Sequence, residues 1–293
     1  MDLRAILMGL AFAAMWSSAF TSARIIVTAA PPVSALALRF AISGALALLI
    51  ALARGESWRL TPAQWKATIL FGICQNALYL GLNFVAMQSV EASLAAIIAS
   101  TMPLIVAFAG WAIFGERLPV MGAVGLGAGV AGVVIIMGAR LSGGTDLWGV
   151  ALCVVAACAL AAATLSLRRA SGGGGSVMTV VGMQMLVGAA VLLIPAAFET
   201  HVIQPSWALF WAFLYTTLVP GLAATIVWFL LVERIGAVRA ATFHFLNPVF
   251  GVAIAAALLG EALRLADLVG VLVIAGGILA VQLSKQKPVQ APV

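Results

Sequence analysis

An all-α membrane protein made of two five-helix repeats is the fold class predicted, and three observations predict it. Charged residues are 8% of the 293-residue chain and apolar residues 64%, where a soluble domain carries roughly 25% charge. The apolar residues fall into ten runs, each near the ~20 residues that cross a bilayer as a helix. A single offset then relates the two halves: Pro103 stands twelve residues before Gly115-Glu116, and Pro248 stands twelve before Gly260-Glu261. The same offset of 145 (248 minus 103) pairs Ala92 with Ala237, Leu118 with Leu263, Gly125 with Gly270 and Gly132 with Gly277.

The ten spans read as about 5–26, 33–53, 64–87, 92–114, 120–138, 147–167, 177–198, 206–232, 237–259 and 266–283. The short alternating segments of an outer-membrane barrel are not present in the pattern. Residues 1–141 form the first repeat, residues 145–284 the second, and residues 285–293 a tail. Five spans per repeat is an odd number, so the second copy enters the membrane upside down. The expected architecture is an inverted-topology pair of repeats around a central cavity.

Basic residues set the expected orientation. With the N-terminus inside, Arg4, Arg54, Arg59, Lys66, Arg117, Arg168, Arg169, Arg234, Arg239, Lys285 and Lys287 face the cytoplasm. Only Arg24, Arg140 and Arg264 face outward, and Arg39 lies within a span. The net charge of +6 therefore reads as a topology signal. It forms no dense patch of the kind that binds nucleic acid. Both termini and the Ser171-Gly172-Gly173-Gly174-Gly175-Ser176 linker are expected in the cytoplasm, and Ser142 to Asp146 on the outer side.

Span 1 begins after Arg4 and ends in Thr21-Ser22-Ala23, a pattern that mimics a secretory signal. The repeat needs this span to match the sixth, so it is expected to be retained. Span 2 holds Arg39, whose repeat partner is Gln184. An arginine there must snorkel, find carbonyls or face water. In span 3, Gln75, Tyr79 and Asn83 recur every four residues with Asn76 beside them, so the polar groups share a face. Lipid cannot satisfy amides, and this stripe is expected to line a wet cavity.

Proline breaks follow. In span 4, Pro103 frees the carbonyl of Ala99 beside Ser100 and Thr101; in span 8, Pro220-Gly221 frees that of Thr216; in span 9, Pro248 frees that of His244. Broken helices near mid-membrane are where carriers build their sites. Pro103, Pro248, Pro220 and Gly221 are accordingly read as hinge or gating positions. His244, Asn247, Tyr79, Asn83, Gln75 and Thr101 are read as substrate-binding groups, with Trp16 and Trp228 as apolar walls. The glycines of span 5, at 122, 125, 129 and 132, point to close helix packing. Glu116 and Glu261 read as capping or inter-helix groups. Cys74, Cys153 and Cys158 lie inside spans and read as small packing residues, without metal-ligand spacing.

Two five-span halves, each with a Pro, a Gly-Glu twelve residues on and a glycine-rich span, resemble the EamA-type branch of the drug/metabolite transporter superfamily. Trp16-Ser17-Ser18 and Pro32 with Arg39-Phe40 resemble that family's first repeat. Within it, the chain looks most like YddG-type bacterial amino-acid and metabolite exporters, by general similarity and not by a diagnostic motif. The resemblance implies ten helices, cytoplasmic termini, a bacterial inner-membrane location and a cavity lined mainly by spans 1, 3, 4, 6, 8 and 9.

One departure narrows the substrate. Four-span relatives that expel cationic drugs use a glutamate in span 1, and no acidic residue stands between Ala5 and Ile26 here. The remaining amides, hydroxyls and aromatics suit a small neutral or zwitterionic solute. The expected function is export of amino acids or similar metabolites by alternating access, with no enzymatic activity and no cofactor or metal. The partners expected are the solute and membrane lipid around a monomeric carrier. Export of other drugs or metabolites, a channel and a lipid scramblase stay open as alternatives. An intramembrane hydrolase, with His244 as base, lacks a supported nucleophile partner.

Overall fold

Apolar runs without charge leave a helix as the only open-ended structure that satisfies its own backbone in lipid, and helices are what form. A computed structural model describes residues 3–141, 144–168 and 177–284. Among these residues there is no strand, and ten helices are long and apolar enough to cross a membrane. The first half comprises α1 (Leu3–Val27), α2 (Pro32–Ala53), α3 (Pro62–Ala86), α4 (Ala92–Phe114) and α5 (Val120–Leu141). The second comprises α6 (Leu147–Arg168), α7 (Val177–Ala196), α8 (Trp207–Leu218 continuing to Ala224–Ile235), α9 (Ala237–Thr242 continuing to Asn247–Leu259) and α10 (Leu265–Ser284). They coincide with the predicted spans to within a few residues. The glycine-rich linker at 171–176, residues 142–143 and the 285–293 tail lie outside the described residues.

Four helices depart from uniform α geometry. The third helix of each half contains a π-helical stretch, Gly72–Leu80 in α3 and Val219–Ala223 in α8. In α8 it falls at Pro220, whose missing amide disrupts the ladder. The fourth helix of each half breaks at its proline. Pro103 follows a break at Thr101, and Pro248 follows a 3-10 turn at Phe243–Leu246. There the amide of Asn247 takes the His244 carbonyl in place of the proline.

The halves hold each other through reciprocal contacts. A Cβ built on Gly125 would meet the Gly277 carbonyl at 2.7 Å, and one on Gly277 the Gly125 carbonyl at 2.5 Å. Gly132 and Gly270 are related in the same way, at 2.8 and 2.9 Å. Since 270 is 125 plus 145 and 277 is 132 plus 145, α5 and α10 pack about a local two-fold axis. Gly44 of α2 and Gly182 of α7 also approach each other's carbonyls, at 3.0 Å each way. Small residues let backbones meet where no hydrophobic force separates helix from lipid.

Carboxylates finish the exchange. Glu199, after α7, accepts from the amides of Val33 and Ser34 at the start of α2 (2.9 and 2.8 Å). Glu56, after α2, accepts from Met178 and Thr179 at the start of α7 (3.0 and 3.4 Å). Each satisfies orphan amides at a helix start and complements its dipole. The Gly260-Glu261 pair has the same logic. Gly115 and Gly260 end their helices in the left-handed region, at φ 65° and 68°, which favours glycine. Glu261 then accepts from the amides of Ala92 and Ser93 at the start of α4 (2.8 and 3.0 Å). These contacts place the end of α7 beside the start of α2, and the end of α9 beside the start of α4. The Glu199 and Glu261 contacts lie on the face of the bundle that carries Val27; the Glu56 contact lies on the opposite face, marked by Leu3.

Candidate functional site

Polar groups in a lipid-facing bundle must meet protein or water, and those of α3 meet a cavity. The π-helical stretch widens the turn through i→i+5 bonding, which keeps residues four apart nearly in line. Gln75, Tyr79 and Asn83, with Asn76, all line a narrow cavity of about 60 Å³ among α1, α2, α3, α7 and α8. Trp16 and Phe20 of α1, Arg39 and Phe40 of α2, Gln184 of α7, and Pro220 and Gly221 of α8 complete the walls that matter here. The space sits near mid-bundle and extends past Ala23 and Met87 towards the Val27 face.

Arg39 is 5% exposed. Its Nε donates to the carbonyl of Thr216 at 3.2 Å, the acceptor that Pro220 leaves without its helical partner. One turn along, the Ser43 hydroxyl donates to the carbonyl of Thr217 at 3.1 Å. The guanidinium carbon lies 5.1 Å from the Phe40 ring centroid, a cation–π distance. Among the described residues no carboxylate pairs with Arg39, and none lines the cavity. On the opposite wall, Asn76 Nδ2 donates to the Gln184 carbonyl at 2.9 Å. Asn83 Nδ2 donates to the Tyr79 carbonyl at 2.7 Å, while its Oδ1 is buried without a partner.

His244 lies elsewhere. On the Leu3 side of the cavity, Phe12, Trp16, Trp228 and His244 form a ring cluster, with centroids of 4.8 Å for Phe12–Trp228 and 5.2 Å for Trp228–His244. Asn247 Nδ2 donates to His244 Nδ1 at 2.9 Å, and Ser17 of α1 donates to the Asn247 carbonyl at 3.2 Å. This cluster fills the space where α1, α8 and α9 meet. Gly9 makes room for the neighbouring Phe243, since a Cβ there would lie 2.2 Å from its ring.

Of the residues the sequence marks as substrate-binding, Gln75, Tyr79, Asn83 and Trp16 line the cavity. His244, Asn247 and Trp228 belong to the ring cluster below it, and Trp16 touches both, 6.5 Å from His244. Thr101 stands in neither: its hydroxyl returns to the Ile98 carbonyl at 2.6 Å. Pro220 and Gly221 line the cavity, whereas Pro103 and Pro248 are buried in breaks away from it. The resemblance implied walls from spans 4, 6 and 9, and this cavity takes none from them. The second and seventh helices supply walls instead, because α2 and α7 pack closely enough to bring Arg39 and Gln184 inward. Sequence reasoning left Arg39, Gln184, Asn76 and Phe40 off the candidate site. The signal for the first two was their pairing by the 145-residue offset.

Ten helices long and apolar enough to span, broken at matched places and enclosing a polar cavity between two packed halves, define a multi-pass membrane protein. The chain belongs to the EamA-like transporter family, which matches residues 3–138 and 147–283. It is 29% identical over 294 residues to the uncharacterized inner membrane transporter YedA of Escherichia coli (strain K12), covering 95% of this chain and 92% of that one. It is 26% identical over 262 residues to the uncharacterized transporter YvbV of Bacillus subtilis (strain 168), covering 89% and 85%. A crystal structure described only as that of a protein superposes with a TM-score of 0.69 at 23% identity, covering 97% of this chain and 98% of the other. At that identity the likeness concerns the fold.

Proposed function

We propose that this protein is an inner-membrane secondary transporter that exports amino acids or similar small zwitterionic or neutral metabolites by alternating access. The observation that carries the substrate reading is the mid-bundle cavity itself: it is lined by amides, aromatics and one arginine, with no acidic residue among the described walls. A permanent cation would meet no counter-charge there, and burying it unpaired is costly. The inner-membrane location follows the similarity to YedA. The basic residues favour a cytoplasmic Leu3 face, which puts the ring cluster of Phe12, Trp228 and His244 on the cytoplasmic side and the cavity towards the outside.

Alternating access follows from the reciprocal packing. Two similar halves that exchange glycine contacts and caps about a local two-fold axis can also exchange which face is closed. Pro220, Pro103 and Pro248 mark where helices bend. Counterflow in proteoliposomes tests the reading. Vesicles preloaded with an unlabelled zwitterionic amino acid should transiently accumulate the labelled form above equilibrium, while a quaternary-ammonium dye is exchanged poorly. Dye exchange at the rate of the best amino acid would remove the electrostatic basis of the reading. Non-saturable flux without counterflow would point to a channel.

A further inference from the structure

Arg39 carries more chemistry than its structural contact uses. Tying α2 to the freed carbonyls of α8 needs only a neutral donor, as Ser43 demonstrates at Thr217 one turn away. A guanidinium has five N–H donors in a rigid fork, and only Nε is engaged, on Thr216. The two terminal NH2 groups have no carboxylate or carbonyl partner among the described residues, although the side chain is 5% exposed and lines the cavity. The equivalent position of the second repeat holds Gln184, which lines the same cavity without charge. A cation kept in a lipid-embedded site costs at least ~2.5–3.5 kcal/mol on insertion scales; the Thr216 carbonyl and the Phe40 ring offset part of this, and the described residues supply no anionic partner.

A second observation fixes the other end of the ligand. Asn83 Oδ1 is a buried acceptor with no donor, on a residue whose amide nitrogen is already committed to the Tyr79 carbonyl. Asn83 lines the same cavity as Arg39, so a residue with an unpaired acceptor and one with unpaired donors share its walls. We propose that Arg39 is the anion-reading residue of this carrier and that its solutes are 2-amino or 2-hydroxy carboxylates. The carboxylate takes the free guanidinium donors, and the ammonium or hydroxyl donates to Asn83 Oδ1. Side-chain bulk faces the rings of Trp16, Phe20 and Phe40. The proposal deepens the carrier reading above and rests on it for the identity of the site. It adds that the amino group is replaceable by a hydroxyl and the carboxylate is not replaceable.

Binding to the full-length protein in lipid nanodiscs tests this without requiring transport. Matched probes on a benzyl and an isobutyl side chain supply the amino acid, its methyl ester, the 2-hydroxy acid and the 2-oxo acid. The amino and hydroxy acids should bind about tenfold or more tightly than the ester, the factor expected when a buried donor is left unpaired. The oxo acid, which has no donor for Asn83, should fall between. Arg39→Gln should erase the preference for acid over ester, whereas Arg39→Lys keeps the ranking at weaker affinity because it retains charge without the fork. A purely structural arginine would alter stability in Arg39→Gln and leave the preference intact. An ester that binds wild-type protein as tightly as the acid overturns the proposal, as does a preference that survives in Arg39→Gln. If hydroxy acids bind and amino acids do not, the role of Arg39 stands and the amino-acid reading falls. If neither probe series binds, the proposal falls, while counterflow still decides whether the protein is a carrier.

Discussion

The guanidinium of Arg140 grips both carboxylate oxygens of Asp267, Nε to Oδ1 at 3.0 Å and Nη2 to Oδ2 at 2.8 Å. It also reaches Glu91 and the Ser93 hydroxyl. The two side chains are 3% and 0% exposed, and they join the end of α5 to the starts of α4 and α10 on the Val27 face. Removing one partner of a buried pair strands the other charge, at a cost of about 3–5 kcal/mol. Arg140→Ala, which leaves the Asp267 carboxylate without a cation, should therefore lower the thermal unfolding midpoint of the purified protein sharply. Arg264, whose bond to the Ala139 carbonyl is exposed, should tolerate alanine with a cost below about 1 kcal/mol. Equal melting of the two variants would contradict this reading of the Val27 face.

The contact between α5 and α10 sets a second expectation. Gly125→Leu would drive a side chain into the Gly277 backbone, where a Cβ alone already stands at 2.7 Å. Overpacking of this kind costs roughly 1–3 kcal/mol, and more where backbone must move. Gly127 has nothing within 4 Å of a built Cβ, so Gly127→Leu should express and fold normally. Monodisperse yield in detergent reads the difference; because leucine favours a helix more than glycine does, loss of fold in both variants would show that added bulk anywhere on α5, and not the contact with α10, is what matters.

Reciprocal capping makes a graded prediction. Glu199 accepts from two amides and the Ser34 hydroxyl, whereas Glu56 accepts from two amides, one at 3.4 Å. Loss of a cap costs about 0.5–2 kcal/mol. Alanine at 199 should thus destabilise more than alanine at 56, measured by thermal unfolding in one lipid mixture. The reverse order would show that the geometry at α2 is not what holds that corner.

Cavity and cluster should separate kinetically. Asn83 lines the space where solute is read, so Asn83→Ala should raise the apparent KM of counterflow about tenfold, as unpaired substrate groups do. His244 is held by Asn247 within the ring cluster, and His244→Ala should lower the maximal rate with a smaller change in KM. Ser284, whose hydroxyl returns to the Val281 carbonyl, serves as the control and should behave as wild type. A KM effect confined to His244 would move the site down into the cluster.

Much of the fold was legible because it is written in one dimension. Span length, the 145-residue offset and the αL glycines of Gly115 and Gly260 are properties of a sequence read along its length. The polar stripe of α3 was legible for the same reason. The π-helical turn at Gly72–Leu80 was not, because nothing in GICQNALYL demands i→i+5 bonding. His244 drew attention as an ionisable group beside a proline, yet it meets aromatics contributed by α8, the helix before it, and by α1, which is remote in sequence. Arg39 and Gln184 were visible as a polar pair. That they face one cavity depends on how α2 packs against α7, which periodicity within a single helix does not encode.

The central claim is that one cavity is served from two faces in turn, and closing one face permanently tests it most directly. The Phe12 and Trp228 rings lie 4.8 Å apart across the Leu3 side. A Phe12→Cys, Trp228→Cys pair, in a background with Cys74, Cys153 and Cys158 replaced by alanine, can be joined by a short bifunctional thiol crosslinker. Counterflow of a zwitterionic amino acid in proteoliposomes should run before crosslinking, stop when the link forms and return when a cleavable linker is reduced. Counterflow that continues at the uncrosslinked rate with the link in place would contradict alternating access through this cavity.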